Sequence, residues 1–130
     1  MAKTKVYLAT PYQWRGSNEG LISWIVRWWR YRKVTKVVAI WMEKGYNIFS
    51  PITHSHPIGK FADLSHAEWL EYDFQWIDAC DELWVLCQPG WQKSDGVRQE
   101  VVYARSKDKE VLFLKRSGRI TYNYSYNDWF

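Results

Sequence analysis

The stretch Glu82–Glu100, ELWVLCQPGWQKSDGVRQE, decides the fold. Glu82 to Cys87 is the most strand-like run in the chain, an apolar block of buried-strand length, and Pro89-Gly90 closes it. Ser94-Asp95-Gly96 then reads as the opening of a helix that continues through Ser106. The text on either side repeats this alternation. Upstream, Val6-Tyr7-Leu8-Ala9 forms a buried strand stopped by Thr10-Pro11. From Glu19 to Lys44 apolar residues recur at threes and fours, which is helix spacing, and Gly45 supplies the stop. Tyr46 to Phe49 is a second short strand. Ile52 to Lys60 reads as loop, with His54 and His56 bracketed by Pro51 and Pro57. Ser65-His66-Ala67-Glu68 fits a capping box that opens a helix to Ala79. Downstream, Glu110 to Leu114 is one more strand. Such alternation implies an α/β domain with a parallel sheet and helices on both faces.

The chain has 130 residues, 47% apolar and 25% charged, with a net charge of +4. That describes one soluble domain over residues 1–130, able to bury roughly two thirds of its unfolded surface without a disulfide or metal staple. The residues from 118 to 130 form an aromatic tail, either an edge strand or a partner-binding arm. Cys80 and Cys87 form no CxxC or zinc pattern, so a reduced thiol pair and a cytoplasmic setting are expected. No targeting segment or membrane span is expected. Ten tryptophans exceed what a core of this size easily hides, so some should face a pocket, a partner or water. The positive charge is partly local, in Arg27, Arg30, Arg32, Lys33 and Lys36. It permits nucleic acid, a membrane surface or a phosphorylated small molecule without selecting among them.

Parallel sheets bind ligands outside the carboxyl ends of their strands. Those ends carry polar loops here: Thr10-Pro11-Tyr12, Ser50 to His56, and Gln88 to Gly96. In the last, the helix N-terminus offers amides for an anion. Glu100 lies in the first turns of that helix, where it either points into the cleft or serves the helix dipole. Asp73 shares a helix face with Trp69, Trp76 and Ile77, and burial there would raise its pKa and suit it to donate a proton. The alternative is a solvated or salt-bridged aspartate. His54 and His56 either grip a substrate or pack around the prolines. Zinc is not expected, since neither a Cys ligand nor regular spacing supports it. Trp91 stacks on a base or plugs a lid.

The order of these motifs resembles the nucleoside 2-deoxyribosyltransferase superfamily. It is carried by YLATP near the start, the helix bearing Asp73, the text Ala79 to Leu86, and SDGVRQEVVYA from Ser94. It is also similar to the branch that hydrolyses 2'-deoxynucleoside 5'-monophosphates. Narrower still, FSPITHSHPI from Phe49, the Trp69–Asp73 pair and PGWQKSDGVRQE from Pro89 resemble small bacterial and phage proteins of unassigned function. The resemblance implies a single-domain Rossmann-like (flavodoxin-like) three-layer sandwich with a mainly parallel sheet of about five strands. It implies Glu100 as nucleophile at the anomeric carbon, Asp73 as general acid, and Tyr7 as the tyrosine contacting Glu100 and the sugar. Ser94 would hold a 5'-phosphate, with Arg15, Lys93 and Arg98 as candidate cations. Thr10, Gly96, His54, His56 and Trp91 complete the substrate-binding candidates.

The expected activity is N-glycosidic cleavage of a nucleoside or (deoxy)nucleoside 5'-monophosphate. Arg98, Gln99 and Val102 stand where transferases of the family have small residues, which favours hydrolysis, or a changed substrate, over transfer to a second base. A deoxyribosyltransferase, or a catalytically silent nucleotide-binding module of the same fold, are the alternatives. No cofactor is implied. The expected partners are the small-molecule nucleoside or nucleotide and further copies of the chain, a homo-oligomer of two or more. Membrane is excluded as a partner, and nucleic acid is not expected, because the arginines of the first helix alternate with Trp28, Trp29 and Tyr31.

Overall fold

The computed structural model describes residues 3–12 and 20–121. The chain runs through β1 (Lys5–Ala9), α1 (Leu21–Glu43), β2 (Asn47–Phe49), α2 (Pro51–Ile58) and α3 (His66–Ala79). It continues through β3 (Glu82–Leu86), a 3-10 turn (Trp91–Lys93), α4 (Asp95–Ser106), β4 (Glu110–Leu114) and β5 (Ile120–Thr121). The sheet order is β2-β1-β3-β4-β5. Its first four strands are parallel, and the two-residue β5 is antiparallel to β4.

Strand alternation sorts the core into two layers. Val6, Leu8, Trp84, Leu86 and Leu114 face α1, where Val34, Val37, Val38 and Trp41 meet them. Tyr7, Ala9, Leu83, Val85 and Phe113 face the other way, against Ile77 of α3 and Val97, Val101 and Ala104 of α4. The result is a Rossmann-like three-layer α/β sandwich. Trp84 anchors the α1 layer, with its ring 4.7 Å from Trp41 and 5.1 Å from Tyr46. The Trp41 indole N–H donates to the Gly118 carbonyl at 2.8 Å. Gly118 has φ +89°, and a Cβ there would lie 3.3 Å from Val37, so the turn before β5 needs glycine on both counts.

Local signals account for the helix ends. Gly45, at φ +99°, donates to Met42 while Tyr46 donates to Trp41, a Schellman termination of α1. The capping box at Ser65 and Glu68 is formed in both directions. One expectation is corrected, since the stretch read as loop after β2 is the helix α2. Ser50 caps it by accepting from the Thr53 N–H, and Pro51 occupies the first turn, where its missing N–H costs nothing. Pro57 falls near the C-terminal end of so short a helix, so its break coincides with the end.

α1 is buried over only part of its length. At 23 residues it is about 34 Å long, whereas a five-residue strand spans about 17 Å. Its second half covers the sheet and its first half runs past the sheet edge. Leu21, Ile22, Trp24 and Trp29 are accordingly exposed. No described helix is long and apolar enough to cross a membrane. Arg15, Trp14 and the aromatic tail from Tyr122 to Phe130 lie outside the described residues.

These positions separate cleanly in a stability measurement. Trp84→Ala should lower the urea unfolding free energy by about 3–5 kcal/mol. Trp29→Ala, at 59% exposure, should change it by no more than about 0.5 kcal/mol. Similar losses at both would contradict the assignment of the α1 layer.

Candidate functional site

Alternation along β1 turns Tyr7 toward α3 and α4 while Val6 and Leu8 face α1. On α4, Val97, Glu100, Val101 and Ala104 form the buried stripe. A carboxylic acid therefore stands on the apolar face of a helix, 7% exposed. Tyr7 meets it, and its hydroxyl donates to Glu100 Oε2. From α3, Asp73 comes in one turn before buried Ile77. Its Oδ1 is buried and has no hydrogen-bond partner among the described residues. Two carboxyl groups and a phenol thus converge beneath the carboxyl ends of β1 and β3.

Asp73 and Glu100 open into a cleft of about 950 Å³. One wall is the Thr10-Pro11-Tyr12 segment after β1, and another is the start of α4 from Ser94 to Val97. Trp69 and Leu70 of α3 line it on the Asp73 side. The overhanging half of α1 contributes Trp24, Arg27 and Arg30, while His56 of α2 and Lys60 close the remaining side. Arg30 Nη2 donates to the Pro89 carbonyl at 3.1 Å, tying α1 to the turn after β3. In a 2-1-3-4-5 sheet the strand order reverses between β1 and β3, and that switch point is where such sheets open a crevice.

A family model described as "Domain of unknown function (DUF1937)" matches residues 4–116. The chain belongs to the DUF1937 family. No curated protein matches it by sequence. In fold, this DUF1937 domain is similar to a solved structure of 2-deoxyribosyltransferase from the psychrotolerant bacterium Bacillus psychrosaccharolyticus. The TM-score is 0.56 at 17% sequence identity, covering 97% of this chain and 96% of that one.

Of the residues singled out in the sequence, the fold brings Asp73, Glu100, Thr10, Ser94, Gly96, His56 and Lys93 to the cleft, with Tyr7 buried against Glu100. Thr10 is already committed: its hydroxyl donates to the Leu86 carbonyl and accepts from Gln88, each at 2.9 Å. Ser94 caps α4 by accepting from the Val97 N–H at 3.3 Å, which leaves its own proton for a ligand. Three candidates stand outside the cleft. Gly90, at φ +88°, turns the chain so that the Trp91 indole is buried, 5.5 Å from the Phe113 ring. Arg98 precedes Glu100 by two residues, roughly 200° around the helix, and lines a separate surface depression beside Val102. His54 is exposed and packs against Phe49 and Tyr72 rather than in the cleft.

Sequence reasoning missed Arg27 and Arg30 as cleft residues. The available signal was spacing, because Arg27, Val34 and Trp41 succeed one another every seven residues along one side of α1. It also missed Tyr12 and Tyr31 as holders of His56. The Tyr12 hydroxyl bonds His56 Nδ1 at 2.6 Å, and the Tyr31 ring stacks 4.1 Å from the imidazole. Burial lowers the His56 pKa below its ordinary value, and the charges of Lys60 and Arg27 lower it further. No cluster of three or more metal-ligating side chains occurs among the described residues.

Burial pushes Asp73 up to about 7, with the Tyr7 hydroxyl opposing. It pushes Glu100 up to about 8, reinforced by the Asp73 charge and again opposed by Tyr7. Tyr7 itself is raised well above its ordinary value, chiefly by burial, so it stays a neutral donor. The thiols are pushed up to about 11 at Cys80 and about 12 at Cys87, mainly by burial. Both remain protonated, which argues against a cysteine nucleophile.

Raised carboxyl pKa values carry a stability consequence with a definite sign. Both acids bind their protons more tightly in the folded chain than in the unfolded one. Stability is therefore full below their ordinary values of 3.8 and 4.5, and declines as pH rises through about 7 and about 8. Glu100→Gln and Asp73→Asn should raise the thermal midpoint at pH 8 by about 3 °C or more, a gain that vanishes near pH 4. Equal shifts at both pH values in calorimetry would reject this account.

Proposed function

We propose that this DUF1937 domain cleaves the N-glycosidic bond of a nucleoside or (deoxy)nucleoside 5'-monophosphate. The observation that carries the reading is the pair of buried carboxyl groups, Glu100 held by Tyr7 and Asp73 with an unsatisfied oxygen, at the floor of a cleft at the sheet's switch point. Likeness in fold to a 2-deoxyribosyltransferase supports it.

In the free cleft Glu100, at about 8, holds its proton more tightly than Asp73, at about 7, so in this reading the proton the pair shares must move to Asp73 when substrate binds, leaving Glu100 ionised. Glu100 attacks the anomeric carbon as the bond to the base breaks, and Asp73 gives its proton to the departing base nitrogen. Tyr7 fixes the carboxylate and favours its charged form. The glycosyl ester on Glu100 is then opened by water, whose proton passes to Asp73, restoring both groups. A second base in place of water would give transfer.

The two acids titrate as a pair, so the competent state is the one that has lost one proton and kept the other. kcat/KM should rise with pH through about 7 and fall again through about 8. The decisive assay incubates the protein with the common nucleosides and their 5'-monophosphates and follows free base by chromatography. Glu100→Gln should abolish release, and Asp73→Asn should slow it by about 10²–10⁴-fold. Adding a second free base distinguishes transfer, which yields a new nucleoside, from hydrolysis. If the intact protein releases no base from any member of the panel, the reading fails.

A further inference from the structure

Bond cleavage occupies the Asp73–Glu100 end of the cleft and leaves its cationic wall unexplained. Arg27 lies on the part of α1 that overhangs the sheet, and its Nε is buried without a hydrogen-bond partner among the described residues. A buried guanidinium N–H with no acceptor is costly, because the water it gave up has not been replaced. Lys60, just beyond α2, lines the same cleft. Both charges reach His56, which stands between Tyr12 and Tyr31. When Tyr12 donates its hydroxyl to Nδ1, the ring proton sits on Nε2, giving a neutral donor in the same cleft wall as the two cations.

Arg30 and Lys93 add to the positive wall, and Asp95 opposes it from the start of α4. Near pH 7.5, between the values of about 7 and about 8, Asp73 and Glu100 together carry about one negative charge. The cleft thus joins a weakly charged acid pair to a strongly cationic wall. A neutral nucleoside uses only the first of these, whereas a phosphate monoester uses both. Its oxygens match a guanidinium and an ammonium through charge-assisted hydrogen bonds.

We propose that Arg27 and Lys60 form a subsite for a dianionic phosphate monoester, so that the substrate is the nucleoside 5'-monophosphate rather than the free nucleoside. This rests on the N-glycosidic reading of the same cleft.

The test measures calorimetric binding of each common deoxynucleoside, its 5'-monophosphate and orthophosphate to Glu100→Gln protein, which cannot turn over. The same titrations are made with Arg27→Ala, Arg27→Lys or exposed Lys60→Ala added, and with exposed Lys36→Ala as control. At least one monophosphate should bind about tenfold or more tightly than its nucleoside. Arg27→Ala and Lys60→Ala should shrink that ratio without changing nucleoside affinity, Arg27→Lys should keep part of it, and Lys36→Ala should leave it intact. Equal affinity for nucleoside and monophosphate overturns the subsite, as does a variant effect that weakens both alike. If orthophosphate instead accelerates base release from free nucleosides in the wild type and no monophosphate is preferred, phosphate is an acceptor and the proposal is lost. Monophosphate binding that depends on Arg27, without base release by the wild type, sustains the subsite and removes the glycosidic reading. Base release from nucleosides and monophosphates alike, independent of Arg27, does the reverse.

Discussion

The hydrogen bond from Tyr7 to Glu100 is the constraint around which the cleft is organised. α4 packs on the sheet through Val97, Val101 and Ala104, and Glu100 interrupts that stripe with a carboxylic acid. Burying an acid on an apolar face is tolerated only where it finds a donor or keeps its proton. Both conditions are met, because Tyr7 is directed to the same face by strand alternation and burial raises the Glu100 pKa to about 8. The arrangement in turn requires the elements around it to be in place. Ser94 sets where α4 begins, the β1–β3 register sets Tyr7 opposite Leu83, and α3 brings Asp73 alongside.

A second feature of the architecture is a mismatch of lengths. α1 is about twice as long as the strands it covers, so its first half has no sheet beneath it and forms a wall of the cleft. On the sheet the inward stripe is Val34, Val37, Val38 and Trp41. Past the edge, Arg27 and Arg30 take its place and face the cleft. The bond from Arg30 to the Pro89 carbonyl holds this wall against the turn that leads to α4. Charge and carboxylate chemistry thus meet at the sheet's switch point, supplied by helices on opposite faces.

Much of this was readable along the chain. The strand runs around Tyr7, Trp84 and Leu112, the capping box at Ser65 and the helix opening at Ser94 are local signals, and each names its element within a residue or two. Asp73 was legible because it shares a helical face with Trp69, Trp76 and Ile77, whereas Glu100 stayed open between the cleft and the helix dipole and was singled out only by the resemblance. α2 was not legible, since two prolines in eight residues read as loop, although one sits where a helix begins and the other where it ends. Trp91 and Arg98 stand outside the cleft for a shared reason. A residue's closeness in sequence to a site says nothing of its direction, which is set by a glycine turn for Trp91 and by helix phase for Arg98.

Sequence alone therefore determined the four parallel strands, the helices other than α2 and the position of Asp73 on a buried face, because these follow from periodicity and from caps acting over a few residues. Periodicity says nothing of what faces the acids: Tyr7 was expected beside Glu100 only through the resemblance, and the cationic wall was decided by the tertiary structure alone. Tyr7 and Glu100 are 93 positions apart, and Arg27, His56 and Lys60 reach one cleft from α1, α2 and the segment after it. No local rule encodes those meetings. They arise when the sheet's register, the docking of α4 and the overhang of α1 place the side chains in the same space.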